Sequence, residues 1–278
     1  MFKMFTRAAG CFMFAVIITL SIGCHAIDRE LLGDSAINDF IDSESKDLDE
    51  ITELVCDPGE DRCLSSSRYD KLGKLKNLEK VTLVGIGFEN DAKNFFEELT
   101  KLDDLKTVII KDSRIGSIDK LIEIKGLEEL RIILGTYATD SYKLNDLDEL
   151  NELKNLRILD LQNVFRDELP DLRGLDNLEE LTISSYDIAE LPYDTANWSS
   201  LKYLSISATK ISSIDDRIIG ELTDLKELDI SYSKISDVSF VLELPELEVF
   251  TYKMHSQNEV DMEILKDHNN YDESWLRD

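Results

Sequence analysis

Histidine is scarce in this chain: His25, His255 and His268 are the three among 278 residues, and none stands in a spacing such as HExxH. The common zinc-hydrolase layout is thereby excluded. A GxSxG nucleophile elbow is also missing. Gly73-Lys74 has Arg68 where a phosphate loop needs its first glycine, and GIGFEN puts Asn90 where a dinucleotide fingerprint needs its third, so that segment reads as a turn. No enzyme activity and no cofactor are expected. Positive charge is short as well, with 31 Lys and Arg against 58 Asp and Glu and a net charge of −27. Such a chain repels phosphate backbones, which argues against nucleic acid and against electrostatic docking on anionic lipid. Nor does an apolar run reach the length of a membrane span. Cys11 to Ile22, preceded by Lys3 and Arg7, is too short for that and has the layout of an export signal.

What the chain has in quantity is a repeat. In Leu222 to Val238, LTDLKELDISYSKISDV, the apolar residues Leu225, Leu228 and Ile230 are separated by steps of three and two. A step of two is a strand. The flanking steps turn the chain back, giving one short strand plus a curved return that needs a neighbour like itself to bury its apolar edge. Residues equivalent to Leu228 recur at Val81, Val108, Leu130, Leu159, Leu181, Leu204 and Phe250, at intervals of 27, 22, 29, 22, 23, 24 and 22 residues. Three positions earlier stand Leu78, Leu105, Leu127, Leu156, Leu178, Leu201, Leu225 and Leu247. Two later stand Leu83, Ile110, Ile132, Leu161, Ile183, Ile206, Ile230 and Tyr252. Coils of one kind stacked at such periods make a solenoid, which grows without separate cores, so one domain is expected.

On these residues, with the ISDV ending and the Leu169-Pro170 and Leu191-Pro192 segments, the sequence resembles the leucine-rich repeat family in its bacterial, internalin-like branch, over about residues 70 to 255. The resemblance implies an α/β fold: a curved horseshoe with a parallel concave sheet of about eight strands and mixed helical and irregular convex returns. It also implies a ladder of Asn or Cys side chains three residues after the second strand position. That slot here holds Ile86, Ser113, Gly135, Val164, Tyr186, Thr209, Ser233 and His255. Hydroxyls can serve backbone groups there; Ile, Val and Gly cannot. The return segment of the first coil, with Phe95, Phe96 and Leu99 on one side, reads as a short helix. The long third coil, with Tyr137 and Tyr142, is either an ordinary long return or a contact loop.

The ends read differently. Leu20-Ser21-Ile22-Gly23-Cys24 resembles a bacterial lipobox, implying cleavage before Cys24 and lipidation there. Cleavage after Ala26 is the alternative. Loss of residues 1–23 removes Lys3 and Arg7 and no acid, taking −27 to −29. Residues 24–47 form a tether, 48–69 an N-terminal cap, 70–255 the repeats and 256–278 a C-terminal cap. Within the first cap, Leu48, Ile51, Leu54 and Val55 have helical spacing. Cys56 and Cys63 bracket a Pro-Gly turn in a compartment that favours disulfides and are expected to be bonded. Without a nearby histidine they make half a metal site, so no metal is expected. Asn197-Trp198-Ser199 fits a glycosylation acceptor, relevant only in a eukaryotic host, while Trp198 itself sits in a leucine slot and reads as core.

Alternate strand residues point away from the core. The outward middle lane runs Thr82, Ile109, Arg131, Asp160, Thr182, Ser205, Asp229, Thr251. Ile109, Ile133 and Ile158 surround Arg131 and Asp160, an apolar patch with a central charge pair that Tyr203 and Asp229 extend. A protein partner is expected there, making the chain an exported, lipid-anchored binding module of the cell envelope, at the outer membrane or cell surface. The alternative is a structural envelope protein, or a secreted unanchored one, with no specific foreign ligand.

Overall fold

The computed structural model describes residues 15–22, 25–32, 38, 41–42, 48–57, 69–85, 87–88, 92–135, 144, 147–163, 169–191, 193–195, 197–253, 262–268 and 271. Its centre is an open sheet of nine parallel strands, one per coil, in the order of the chain. These are β3 (Ile51–Asp57), β4 (Lys80–Val84), β6 (Thr107–Lys111), β8 (Glu129–Ile133), β9 (Ile158–Gln162), β10 (Glu180–Ser184), β11 (Tyr203–Ser205), β12 (Glu227–Asp229) and β13 (Val249–Thr251). A hairpin of β1 (Ala15–Ile22) and β2 (His25–Leu32) extends the sheet beyond β3, with β1 antiparallel to both. Two short strands, β5 (Gly87–Phe88) and β7 (Arg114–Ile115), pair separately at the exits of two coils. The returns contain helices α1 (Ala92–Leu99) and α2 (Asp216–Glu221) and several 3-10 turns.

The register follows the repeat. Val81 pairs with Val108, Val108 with Leu130, Leu130 with Leu159, and so on through Leu228 and Phe250. All three inward columns are buried except at Tyr252, where the last coil faces the C-terminal cap half-exposed and stacked on Phe250. Leucine fills the turn column and most of the first strand column, while isoleucine fills most of the second, where a β-branched side chain suits pleated packing. Backbone amides carry the stacking across coils: Lys106 and Thr107 both donate to the Glu79 carbonyl, and Glu128 and Glu129 to that of Lys106.

One correction concerns the N-terminal cap. Residues 51–57 are a strand rather than a helix, preceded only by a 3-10 turn at Leu48–Glu50. Ile51, Leu54 and Cys56 repeat the three-then-two step, and Leu54 pairs with Val81 and Cys56 with Leu83. The cap therefore contains a further coil, hidden because steps of three also suit a helix. Cys56 occupies a core column as a small hydrophobe, a free thiol whose burial pushes its pKa up to about 12. Cys63, its expected partner, lies outside the described residues, as do Cys24, Tyr137 and Tyr142.

The returns pack as expected where they are described. Phe95, Phe96 and Leu99 of α1 are buried, with Tyr69 edge-on to Phe95. Trp198 is fully buried, and its indole N–H donates to the Tyr193 carbonyl at 3.1 Å. In the return of the fourth coil Gly174 lies against the Asn151 carbonyl of the coil before, where a Cβ would overlap it. Leu265 closes the C-terminal end.

Candidate functional site

Each strand sends its odd residues out of the sheet, and the register lines them up. Ile109 faces Arg131, Arg131 faces Asp160, Asp160 faces Thr182, Thr182 faces Ser205 and Ser205 faces Asp229. A groove of about 600 Å³ lies over this lane from β8 to β12. Of the expected site residues, Arg131, Ile158, Asp160, Tyr203 and Asp229 line it; Ile109 and Ile133 do not. All three isoleucines are half-buried rather than exposed, and Arg131 stands among them. The apolar patch is thus thinner than expected, and the cavity opens on its polar side.

Arg131 is the hub of the N-terminal end. Its Nε–H donates to Glu129, Nη1 lies 3.4 Å from Asp160 Oδ2 and Nη2 lies 3.8 Å from Glu180 Oε2. One guanidinium therefore serves three carboxylates. Asp160 is only 4% exposed although its position points outward. Burial pushes its carboxyl above the usual carboxylate range, and the Gln162 amide and Arg131 offset this only in part. At the other end, Asp229 accepts from the Ser231 amide at 2.8 Å, and the Ser205 hydroxyl lies 3.2 Å from that of Ser207. Tyr203 stands between, its phenol held above its ordinary pKa by burial while Ser205 and Thr182 hydrogen-bond it. Ser205, expected to face solvent, is 2% exposed because it forms the groove floor.

Glu180, Thr182, Ser207 and Glu227 also line the groove and went unchosen as site residues. Their lanes were legible in the repeat; the depth over them depends on how neighbouring side chains cover the sheet. Along the strand-entry rim runs a line of ion pairs: Lys106–Glu128 at 3.6 Å, Glu179 shared by Arg157 and Lys202 at 2.8 and 2.9 Å, and Lys226–Glu248 at 2.9 Å. Being exposed, each contributes little to stability.

Residues 115–267, more than half of the chain, match the family model described as a leucine-rich repeat region. The chain belongs to the leucine-rich repeat family. Lumican of Bos taurus is 28% identical over 193 residues, covering 65% of this chain and 52% of that protein. The chain spans about half, or less, of the length of the curated relatives it matches. An internalin (inlF) of Listeria monocytogenes superposes with a TM-score of 0.56 at 22% identity, covering 81% of this chain and 66% of its own. The leucine-rich repeat protein LIC12759 of Leptospira interrogans gives 0.52 at 22% identity, covering 72% and 55%. These likenesses establish the fold. Leucine-rich repeats generally serve protein binding and recognition.

The family's turn slot is filled here in two ways. Gly85, Asp112, Asn163, Ala208 and Tyr232 have positive φ at the strand exit. This left-handed residue interrupts the alternation and turns the next side chain inward: Ser113, Thr209 and Ser233 are buried there. Thr209 donates to the Ile206 carbonyl at 3.0 Å, and Ser233 accepts from the Ile235 amide at 3.3 Å. Among the described residues the third and fifth coils have no left-handed residue at the strand exit, alternation continues, and Leu134 and Ser185 are buried one residue early. Gly135 is consequently no defect, and Tyr186 is thrown out to 66% exposure, with Lys210 Nζ 4.7 Å above its ring. Ile86, Val164 and His255 lie outside the described residues. A ladder between coils does exist, on the opposite side: Asn155 donates to the Lys125 carbonyl at 2.8 Å and Asn177 to that of Lys154 at 2.9 Å. Its sequence signal was the polar residue just before the turn leucine.

Proposed function

We propose that this chain is an exported protein-binding module that recognises a protein ligand with the concave groove over β8 to β12 and is held to the cell envelope by a lipid on Cys24. The observation that carries the reading is the groove itself, a cavity on the family's sheet face lined by residues that the stacking of inward columns leaves free to vary. Arg131, Ile158, Asp160, Tyr203 and Asp229 are its contact residues; Ile109 and Ile133 are peripheral. Tyr203, an aromatic ring with a polar tip in the middle of the groove, suits a dominant contact. The excess of carboxylates argues against nucleic acid.

The anchor rests on the LSIGC segment. Cleavage before Cys24 would remove β1 and leave β3 as the edge of the sheet, so the tether or the cap must then cover it. Intact mass of the exported protein tests this: an acylated N-terminal Cys24 is expected, and an unmodified N-terminus at Ile27 would overturn it.

The binding reading is tested by capture from host-cell and envelope extracts with wild type, Tyr203→Ala and the convex variant Leu242→Ser. A specific protein retained by wild type and Leu242→Ser and lost by Tyr203→Ala is the expected result. Recovery of this chain alone would favour a structural envelope role, and loss with Leu242→Ser instead would place recognition on the returns.

A further inference from the structure

Among the described residues, two of the three large apolar side chains left exposed stand on one rim, where β10 and β12 give way to their turns: Tyr186 and Tyr232. The coil between them ends on Ala208, whose amide donates to the Ser231 carbonyl. A methyl group thus lies between two tyrosines that are two strand spacings apart, about 10 Å across the sheet. The same rim carries positive charge, which is short in the chain as a whole. Lys210 and Lys234 occupy equivalent places in the sixth and seventh coils, their amides donating to the Ile188 and Ile211 carbonyls. Lys253 in the eighth coil lies beside Tyr232, whose amide donates to its carbonyl. Lys210 is tied to Asp187 at 3.5 Å and covers one face of the Tyr186 ring. Lys234 and Lys253 are exposed and make no ion pair with a described residue. The rim is therefore locally positive in a chain whose net charge is −27. At physiological salt, charges more than about 8 Å away are largely screened, so a small ligand seated there responds to these lysines rather than to distant acids.

We propose that the strand-exit rim of the fifth to eighth coils is a second recognition surface, for an acidic, extended segment of a protein partner. Its carboxylates meet Lys234 and Lys253 while an apolar side chain enters the gap over Ala208 between the two tyrosines. This surface is separate from the concave groove and does not depend on the groove's role. Tyrosine offers apolar area with a polar tip, and ammonium groups on flexible stems can follow a carboxylate without a fixed geometry. A membrane or a nucleic acid would present its phosphates to the acidic surface around the rim as well and be repelled, whereas a segment of a few residues touches the rim alone.

The test uses the exported protein with two probes, acetyl-Asp-Glu-Leu-Asp-Glu-amide and its uncharged counterpart acetyl-Asn-Gln-Leu-Asn-Gln-amide, in titrations at about 0.15 M salt. Saturable binding of the acidic peptide is expected, at least tenfold weaker for the amide peptide. The double variant Lys234→Gln with Lys253→Gln should weaken the acidic peptide at least tenfold, and Tyr186→Ser should weaken it as well, both with Tm unchanged because these side chains are exposed. Lys125→Gln, an exposed lysine at the strand-entry side, and Tyr203→Ala in the groove should bind like wild type. Equal binding of the two peptides, no saturable binding, or undiminished affinity in the double lysine variant would overturn the proposal. So would loss of the acidic peptide with Tyr203→Ala while both rim variants keep it, which would place the peptide in the groove. Failure at the rim leaves the concave reading untouched, since that reading is decided by capture with Tyr203→Ala.

Discussion

The coils on β4, β6, β8 and β9 and those on β11, β12 and β13 bury the same columns but finish their strands differently. The first group has five-residue strands, and its outward lanes carry the half-buried Ile109, Ile133 and Ile158. Strands in the second group have three residues, after which side chains supplement the ladder: Ser231 accepts from the Lys253 amide at 3.1 Å, and Asp229 from that of Ser231. The groove sits where the two styles meet, with Arg131 at one end and Asp229 at the other. Inward positions are thus dictated by stacking and are nearly invariant across the molecule, whereas outward ones are released from that duty and can differ from coil to coil.

The sharpest way to break this division is Leu204→Ala beside Ser205→Ala. Leu204 is fully buried in β11, so its truncation should lower stability by about 2 to 5 kcal/mol. Ser205 is buried in the groove floor, its hydroxyl 3.2 Å from that of Ser207 and 3.5 Å from Asp229 Oδ2, and its loss should be about 1 kcal/mol. Equal shifts in denaturant midpoint would refute the register. Gly174→Ala comes next, destabilising by about 1 to 3 kcal/mol because a Cβ would overlap the Asn151 carbonyl; an unchanged Tm would show that the return of the fourth coil can move away. Asn155→Ala, removing one rung between coils, should lower stability by about 0.5 to 1.5 kcal/mol in chemical denaturation, and no change would reduce the asparagine ladder to decoration.

The smallest effect has a sign of its own. Asp160 has a raised folded pKa, so between its unfolded value of about 4 and that raised value the folded state holds the proton more tightly, and stability falls as pH rises. The resulting penalty is absent below that window and fully present above it. Asp160→Asn should therefore gain on wild type as pH rises through the window. Glu179, lowered by its hydrogen bonds to Lys202 and Arg157, behaves oppositely, its contribution being lost as pH falls through its folded pKa. Melting curves of Asp160→Asn and Glu179→Gln against wild type between acid and neutral pH check both directions.

The columns were readable from spacing because a solenoid repeats its own solution. The strand at Ile51–Asp57 was not, since Ile51 and Leu54 at three residues fit a helix as well and Cys56 fills a leucine position. The slot shift at Leu134 and Ser185 escaped because the presence or absence of one left-handed residue decides it, and Asp112, Asn163, Ala208 and Tyr232 share no residue type. For the site, the lanes were legible and the depth was not. Asp160 and Ser205 occupy outward positions and are buried all the same, because covering them depends on Arg131, Tyr203 and other long side chains of neighbouring strands. Ile109 and Ile133 looked central by composition, but the cavity formed toward the hydroxyl-bearing strands.

The most direct test of the account is the affinity of the captured protein partner for Tyr203→Ala relative to wild type, measured by titration. A loss of about 1 to 2 kcal/mol with Tm nearly unchanged is predicted for a central aromatic contact in the groove. Undiminished binding by Tyr203→Ala, with Leu242→Ser losing it instead, would contradict the assignment of recognition to the concave face.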